Sequence, residues 1–132
     1  MNAFDIVHGR LKNIQEEAMS GYYPYPAEFD PSVMDRSEII NKAVESVERV
    51  YDLLTKQLVL YCSIDLPIKV GRLLNSLKSI RDSGGDLGGL FSKDEFEDIV
   101  QQIESLPYTK AYIREDFQTS VANMIALVRA LY

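Results

Sequence analysis

The chain is poor in the residues that most active sites are built from. Of its 132 residues one is cysteine, one is histidine and none is tryptophan. With Cys62 alone no disulfide can close within the chain, which excludes the disulfide-stapled class of small secreted domains. With His8 alone, followed by Gly9 and Arg10, most transition-metal sites and nucleophile–base schemes lack their usual member. A Cys62–His8 dyad would need tertiary proximity, and a cysteine near the end of an apolar helix is ordinarily a small buried hydrophobe. No apolar run approaches the ~20 residues of a membrane-spanning helix. Met1 to Arg10 carries Asp5 and has neither a basic region nor an apolar stretch of the kind a signal peptide needs. These absences lead to the expectation of a cytoplasmic protein with no membrane association.

Positive charge is also scarce. Fourteen Lys and Arg stand against twenty Asp and Glu, for a net charge of −6. Such a balance repels phosphate backbones at long range and favours basic or neutral partners, so no nucleic-acid partner is expected. Arg72, Lys78 and Arg81 are scattered among Leu and Ser and form no basic cluster.

Apolar residues are plentiful, at 46%, and their spacing is helical throughout. Phe4, Val7, Leu11, Ile14 and Ala18 make one narrow stripe, which predicts a helix over 3–18. The strongest periodicity covers 35–63, where Ile40, Val44, Val47, Tyr51, Leu54, Leu58 and Tyr61 alternate steps of four and three. Beside it Ile39, Ala43, Val50, Leu53 and Leu60 widen the apolar face, enough to touch two neighbouring helices. Asp35 and Glu38 offer a capping-box-like start.

Asp65 then reads as a cap with Pro67 in the first turn, and Leu66, Val70, Leu73, Leu74, Leu77 and Ile80 carry the following helix inward up to Ser83. The short 63–65 connection favours antiparallel packing of this helix on its predecessor. The glycine-rich stretch 83–89 is the expected flexible point. Ser92 and Glu95 form a capping box for a helix that buries Phe96, Ile99, Ile103 and Leu106 until Pro107. A last helix over 109–131 places Phe117, Val121, Met124, Val128 and Leu131 inward, flanked by Ile113 and Ile125. Its loss by truncation is expected to be poorly tolerated. The predicted fold is one all-α domain over 1–132, a four- to five-helix, mostly antiparallel bundle with the long 35–63 helix at its centre.

Two constellations carry candidate function. The acidic pairs Glu45 with Glu48, and Glu95 with Asp98, each share a helical face, and carboxylates on facing helices can clasp Mg²⁺. Their E-x-x-E and E-x-x-D spacing resembles part of the pattern of the all-α MazG-like nucleotide pyrophosphohydrolases, in which E-E-x-x-E and E-x-x-D lie on adjoining helices. That resemblance implies a metal-dependent nucleotide hydrolase as the alternative function, although here a whole helix and the glycine loop separate the pairs. Solvated faces and complements to helix dipoles explain the same acids without a metal. The segment 84–96 similarly echoes the second half of an EF-hand calcium loop through Asp86, Gly89, Ser92 and Glu95, with Gly84 and Gly88 where side-chain oxygens are needed.

The second constellation is 20–32, SGYYPYPAEFDPS, in which prolines hold Tyr22, Tyr23, Tyr25 and Phe29 in a stiff, aromatic loop. Tyrosines combine contact area with few torsions and are enriched at interfaces. Tyr22, Tyr23 and Pro24 resemble the Tyr-Tyr-Pro in the binding surface of colicin-nuclease immunity proteins, over three residues and at another position along the chain. A loop packed across the end of the bundle is the competing role for the same rings. The functional expectation is a non-enzymatic binding or assembly module, a small regulator or inhibitor. Tyr22, Tyr23, Pro24, Tyr25 and Phe29 would meet a basic protein partner, self-association is a further expectation, and neither cofactor nor metal is required.

Overall fold

In the computed structural model, residues 26–58, 60, 62–106 and 111–132 are described, and every regular element among them is helical. The four α-helices are α1 (Arg36–Lys56), α2 (Asp65–Ser83), α3 (Lys93–Glu104) and α4 (Ala111–Arg129), with short 3-10 turns at Pro31–Val33 and Leu87–Gly89. The chain is therefore all-α and its helices pack as a bundle. The helix expected over 3–18 lies outside the described residues.

Helix α1 starts as its sequence dictates, with the Asp35 carboxylate accepting the Glu38 N–H at 2.8 Å. Its end corrects the expectation. The helix stops at Lys56 rather than at 63, and the N–H groups of Gln57 and Leu58 both donate to the Leu53 carbonyl, at 2.9 and 3.0 Å. Two amides converging on one carbonyl close the last turn and free the chain to bend back. Leu58 still folds into the core from outside the helix, whereas Leu60, expected on the buried face, is 90% exposed. Of the seven-residue stripe, Ile40, Val44, Val47, Leu54 and Leu58 are buried, Tyr51 is half-buried and Tyr61 lies outside the described residues.

Helix α2 buries Leu66, Val70, Leu73, Leu74, Leu77 and Ile80 as the spacing predicts. Asp65 is not its cap. Ile64 occupies that position with helical backbone angles and no capping side chain, so Asp65 becomes the first helical residue, where its charge complements the helix dipole. The helix stops where Gly84 turns to φ +77° and its N–H reaches the Ile80 carbonyl at 2.9 Å. Leu87 and Phe91 then plug the core, so the glycine-rich connection is pinned at two points along its length. Ser92 caps α3, accepting the Glu95 N–H at 3.1 Å.

Helix α2 runs antiparallel to both α1 and α3. Glu48 meets Lys78 and Tyr51 lies against Gly71, so α1 and α2 run in opposite senses. Lys69 meets Asp98 and Arg72 meets Glu95, which orients α3 against α2. Helix α1 packs on both α2 and α4 and stands between them, bridged to α4 by Arg49 and Asp116. One continuous core joins all four helices. The most enclosed stretch among the described residues, however, is in α4, where every residue from Ser120 to Ile125, together with Leu127 and Val128, is buried.

Candidate binding site

The residues that lead into α1 form a strap across the N-terminal half of that helix. Asp30 accepts from the backbone N–H of Ser32 at 3.0 Å and from its hydroxyl at 2.7 Å, and these bonds hold its carboxyl below the usual range. The strap reaches α4 through Glu28, whose N–H donates to Asn123 Oδ1 at 2.6 Å while Asn123 Nδ2 donates to its carboxylate at 2.9 Å. Asn123 is 5% exposed, and this two-way clamp satisfies the side-chain amide that burial would otherwise strand. Next to it Phe29 packs half-buried against the core, with Lys42 Nζ 5.4 Å from its ring centre. Tyr22, Tyr23, Pro24 and Tyr25 lie outside the described residues. Of the five aromatic and proline positions singled out for partner binding, only Phe29 is described, and it is an anchor of the strap as well as a ring at the surface.

The alternative metal set does not come together. Glu45 pairs with Lys42 at 3.3 Å on its own helix and Glu48 with Lys78 at 3.9 Å. Glu95 Oε2, shut off from solvent, faces the Arg72 guanidinium at 3.2 Å without hydrogen-bond alignment. Asp98 accepts from Lys69 and, at 2.8 Å, from Gln102 Nε2. The Lys69 ammonium and the Gln102 amide hold the Asp98 carboxyl below its ordinary value, and the same hydrogen bond raises Lys69. One pair thus answers cations on α1 and late in α2, and the other answers cations nearer the start of α2. Among the described residues no three His, Cys, Asp or Glu side chains are grouped to hold a metal ion. The calcium-like loop is similarly committed elsewhere, with Ser92 capping α3, Glu95 facing Arg72 and residues 87–89 coiled in a 3-10 turn.

The concavities on the described surface include a larger and a smaller one. A pocket of about 350 Å³ opens between the start of α2 and the C-terminal half of α3, lined by Cys62, Ser63, Leu66, Gln101, Gln102 and Ser105 among others. Burial pushes the Cys62 thiol up, the direction of an unreactive cysteine, and His8 lies outside the described residues. The second, of about 210 Å³, sits at the start of α1 between Arg36 and Arg81. Both guanidinium groups are already engaged, Arg36 with the Gly85 carbonyl and Arg81 with Asp82.

Sequence spacing passed over the apolar corner between α1 and α2. Leu60, Ile64 and Ile68 are 90, 81 and 57% exposed. A signal was present for one of them, since Ile68 falls off the Leu66–Val70–Leu73 stripe and so had to sit on the polar side of its helix. Asn123 carried no such signal. No model of a known protein family, no curated protein and no solved structure matches the chain significantly.

Proposed function

We propose that the protein is a non-enzymatic binding or assembly module, a small acidic regulator or inhibitor that captures a basic protein partner. The observation that carries this reading is the clamped strap. Glu28 on Asn123 and Phe29 beneath Lys42 tie down the chain that follows Tyr22-Tyr23-Pro24-Tyr25 in sequence. Presenting tyrosines from a pre-ordered base lowers the entropic cost of binding. The net charge of −6 steers basic partners toward the surface. Self-association belongs to the same reading, because a binding module that exposes large aliphatic side chains is suited to assembly.

The test is capture of partner from a lysate of the source cell by the wild type, by Tyr22→Ala and by Tyr23→Ala, with melting temperatures recorded alongside. Weakened capture with an unchanged melting temperature is the expected result. A large fall in melting temperature would assign those rings to packing instead. Calorimetric titration with Mg²⁺, Mn²⁺ and Ca²⁺ tests the competing hydrolase, and saturable micromolar binding lost in Glu48→Gln would restore it.

A further inference from the structure

The corner between α1 and α2 is the one place among the described residues where large aliphatic side chains are exposed in company. Val33 and Leu90 are exposed singly. Ile64 has helical backbone angles, φ −62° and ψ −27°, so it shares a face with Ile68 one turn later, and Leu60 lies in the turn that leads to them. Apolar patches of roughly 300–600 Å² are the largest that ordinary monomers show, and they commonly mark interaction sites. What covers this one is indicated by the charges along the same stripe.

Asp65, Ile68 and Arg72 follow one another at steps of three and four on α2, and all three are exposed. Asp65 acts electrostatically on Lys69, one turn along α2, but that ammonium is bonded to Asp98. Arg72 lies 3.2 Å from Glu95 and over the Phe91 ring, yet its side chain remains 54% exposed, and a guanidinium has five donors to share. The stripe therefore reads acid, aliphatic, base. Set antiparallel against its own copy, with Ile68 on Ile68, it brings Asp65 of each chain opposite Arg72 of the other. A two-fold interface requires that self-complementarity, because each contact must recur with the roles exchanged.

We propose that the protein forms a two-fold symmetric homodimer through the α1–α2 corner. Ile64, Ile68 and Leu60 make its apolar centre, and Asp65 and Arg72 close it at either end. A standard interface covers about 800 Å² on each partner, so the aliphatic group supplies the centre and the polar margins of α2 supply the rim. The corner lies at the opposite end of α1 from the strap, and the dimer stands or falls independently of the tyrosine-mediated capture proposed above.

Light scattering on the full chain after size exclusion, across a micromolar concentration series, tests it. The wild type is expected at twice the 15.0 kDa chain mass. Ile68→Asp and Ile64→Asp are expected to run as monomers with helical circular dichroism intact, since both positions face solvent in the single chain. Asp65→Arg alone sets arginine against Arg72, and Arg72→Asp alone sets aspartate against Asp65, so each is expected to run as a monomer. An equimolar mixture of the two restores both contacts and is expected to run as a heterodimer. A wild type that stays monomeric throughout the series overturns the proposal, even if another protein binds the corner. A dimer indifferent to Ile68→Asp, or charge variants that do not rescue one another on mixing, overturns it as well.

Discussion

Asn123 is the residue whose removal is expected to cost most for its size. It is buried and polar, and its amide both accepts the Glu28 N–H and donates to the Glu28 carboxylate. Asn123→Ala leaves a backbone donor and a carboxylate without their partner, at a cost of about 1–3 kcal/mol, to be read from urea denaturation. Asn123→Leu matches the volume yet strands the same groups and is expected to be no better. An unchanged midpoint in both variants would show that water replaces the clamp without loss. The ionisable residues make opposite contributions. The Arg129 guanidinium, donating to both Glu97 oxygens at 2.9 and 2.7 Å, holds that carboxyl below its ordinary value of 4.5. A depressed carboxylate contributes stability above its unfolded value and loses it as pH falls through the folded one. Acidification from about pH 4.5 downward is therefore expected to lower the melting temperature, and less steeply in Glu97→Gln. Glu104 runs the other way, because partial desolvation of its carboxyl, on a residue otherwise exposed, holds it up. Glu104→Gln is expected to raise the melting temperature at neutral pH, with the difference vanishing below pH 4.5.

At the scale of the element, the helices are set by their ends as much as by their faces. Gly84 terminates α2 at φ +77°, a conformation a side chain adopts only with strain, whereas Gly88 has no such angle and a methyl group there would meet nothing within 4 Å. Gly84→Ala is accordingly expected to destabilise by about 1 kcal/mol or more, and Gly88→Ala to be neutral or stabilising by up to about 1 kcal/mol. Equal effects of the two in thermal unfolding would contradict the assigned termination. The α2 stripe, the Asp35 and Ser92 caps and the Gly84 stop were legible in the sequence, because each is a local pattern of a few residues, whereas Asp65, read as a cap, is the first helical residue of α2. The end of α1 was not. Leu58, Val59, Leu60 and Tyr61 prolong the apolar periodicity past Lys56. Periodicity records which residues are apolar and not whether the backbone that carries them is still helical. Leu58 is buried from a turn and Leu60 is bare, and only the path of the chain distinguishes them. The same limit hid the candidate site, since the Glu28–Asn123 clamp joins residues 95 positions apart.

For the whole molecule, the order of burial differs from the order of sequence hydrophobicity. The 35–63 segment has the strongest apolar pattern, and α1 does stand between α2 and α4, yet among the described residues α4 holds the longest unbroken run of buried ones. Ser120 and Asn123 are part of that run despite their polarity. A helix enclosed on several sides responds to added volume unlike a surface helix. Ala122 is 4% exposed, next to Val121 at 0%. On a solvent-facing side, Ala122→Leu would change stability by a few tenths of a kcal/mol, because Ala and Leu differ little in helix propensity. In a filled interior the extra methylenes force neighbours off their rotamers at a cost of about 1–3 kcal/mol. We expect the larger loss, seen as a lowered urea midpoint with an unchanged slope, while Ile125→Ala loses about 2–5 kcal/mol by leaving a cavity. A neutral Ala122→Leu paired with a damaging Ile125→Ala would confine burial to one side of α4 and return the central position to α1 alone.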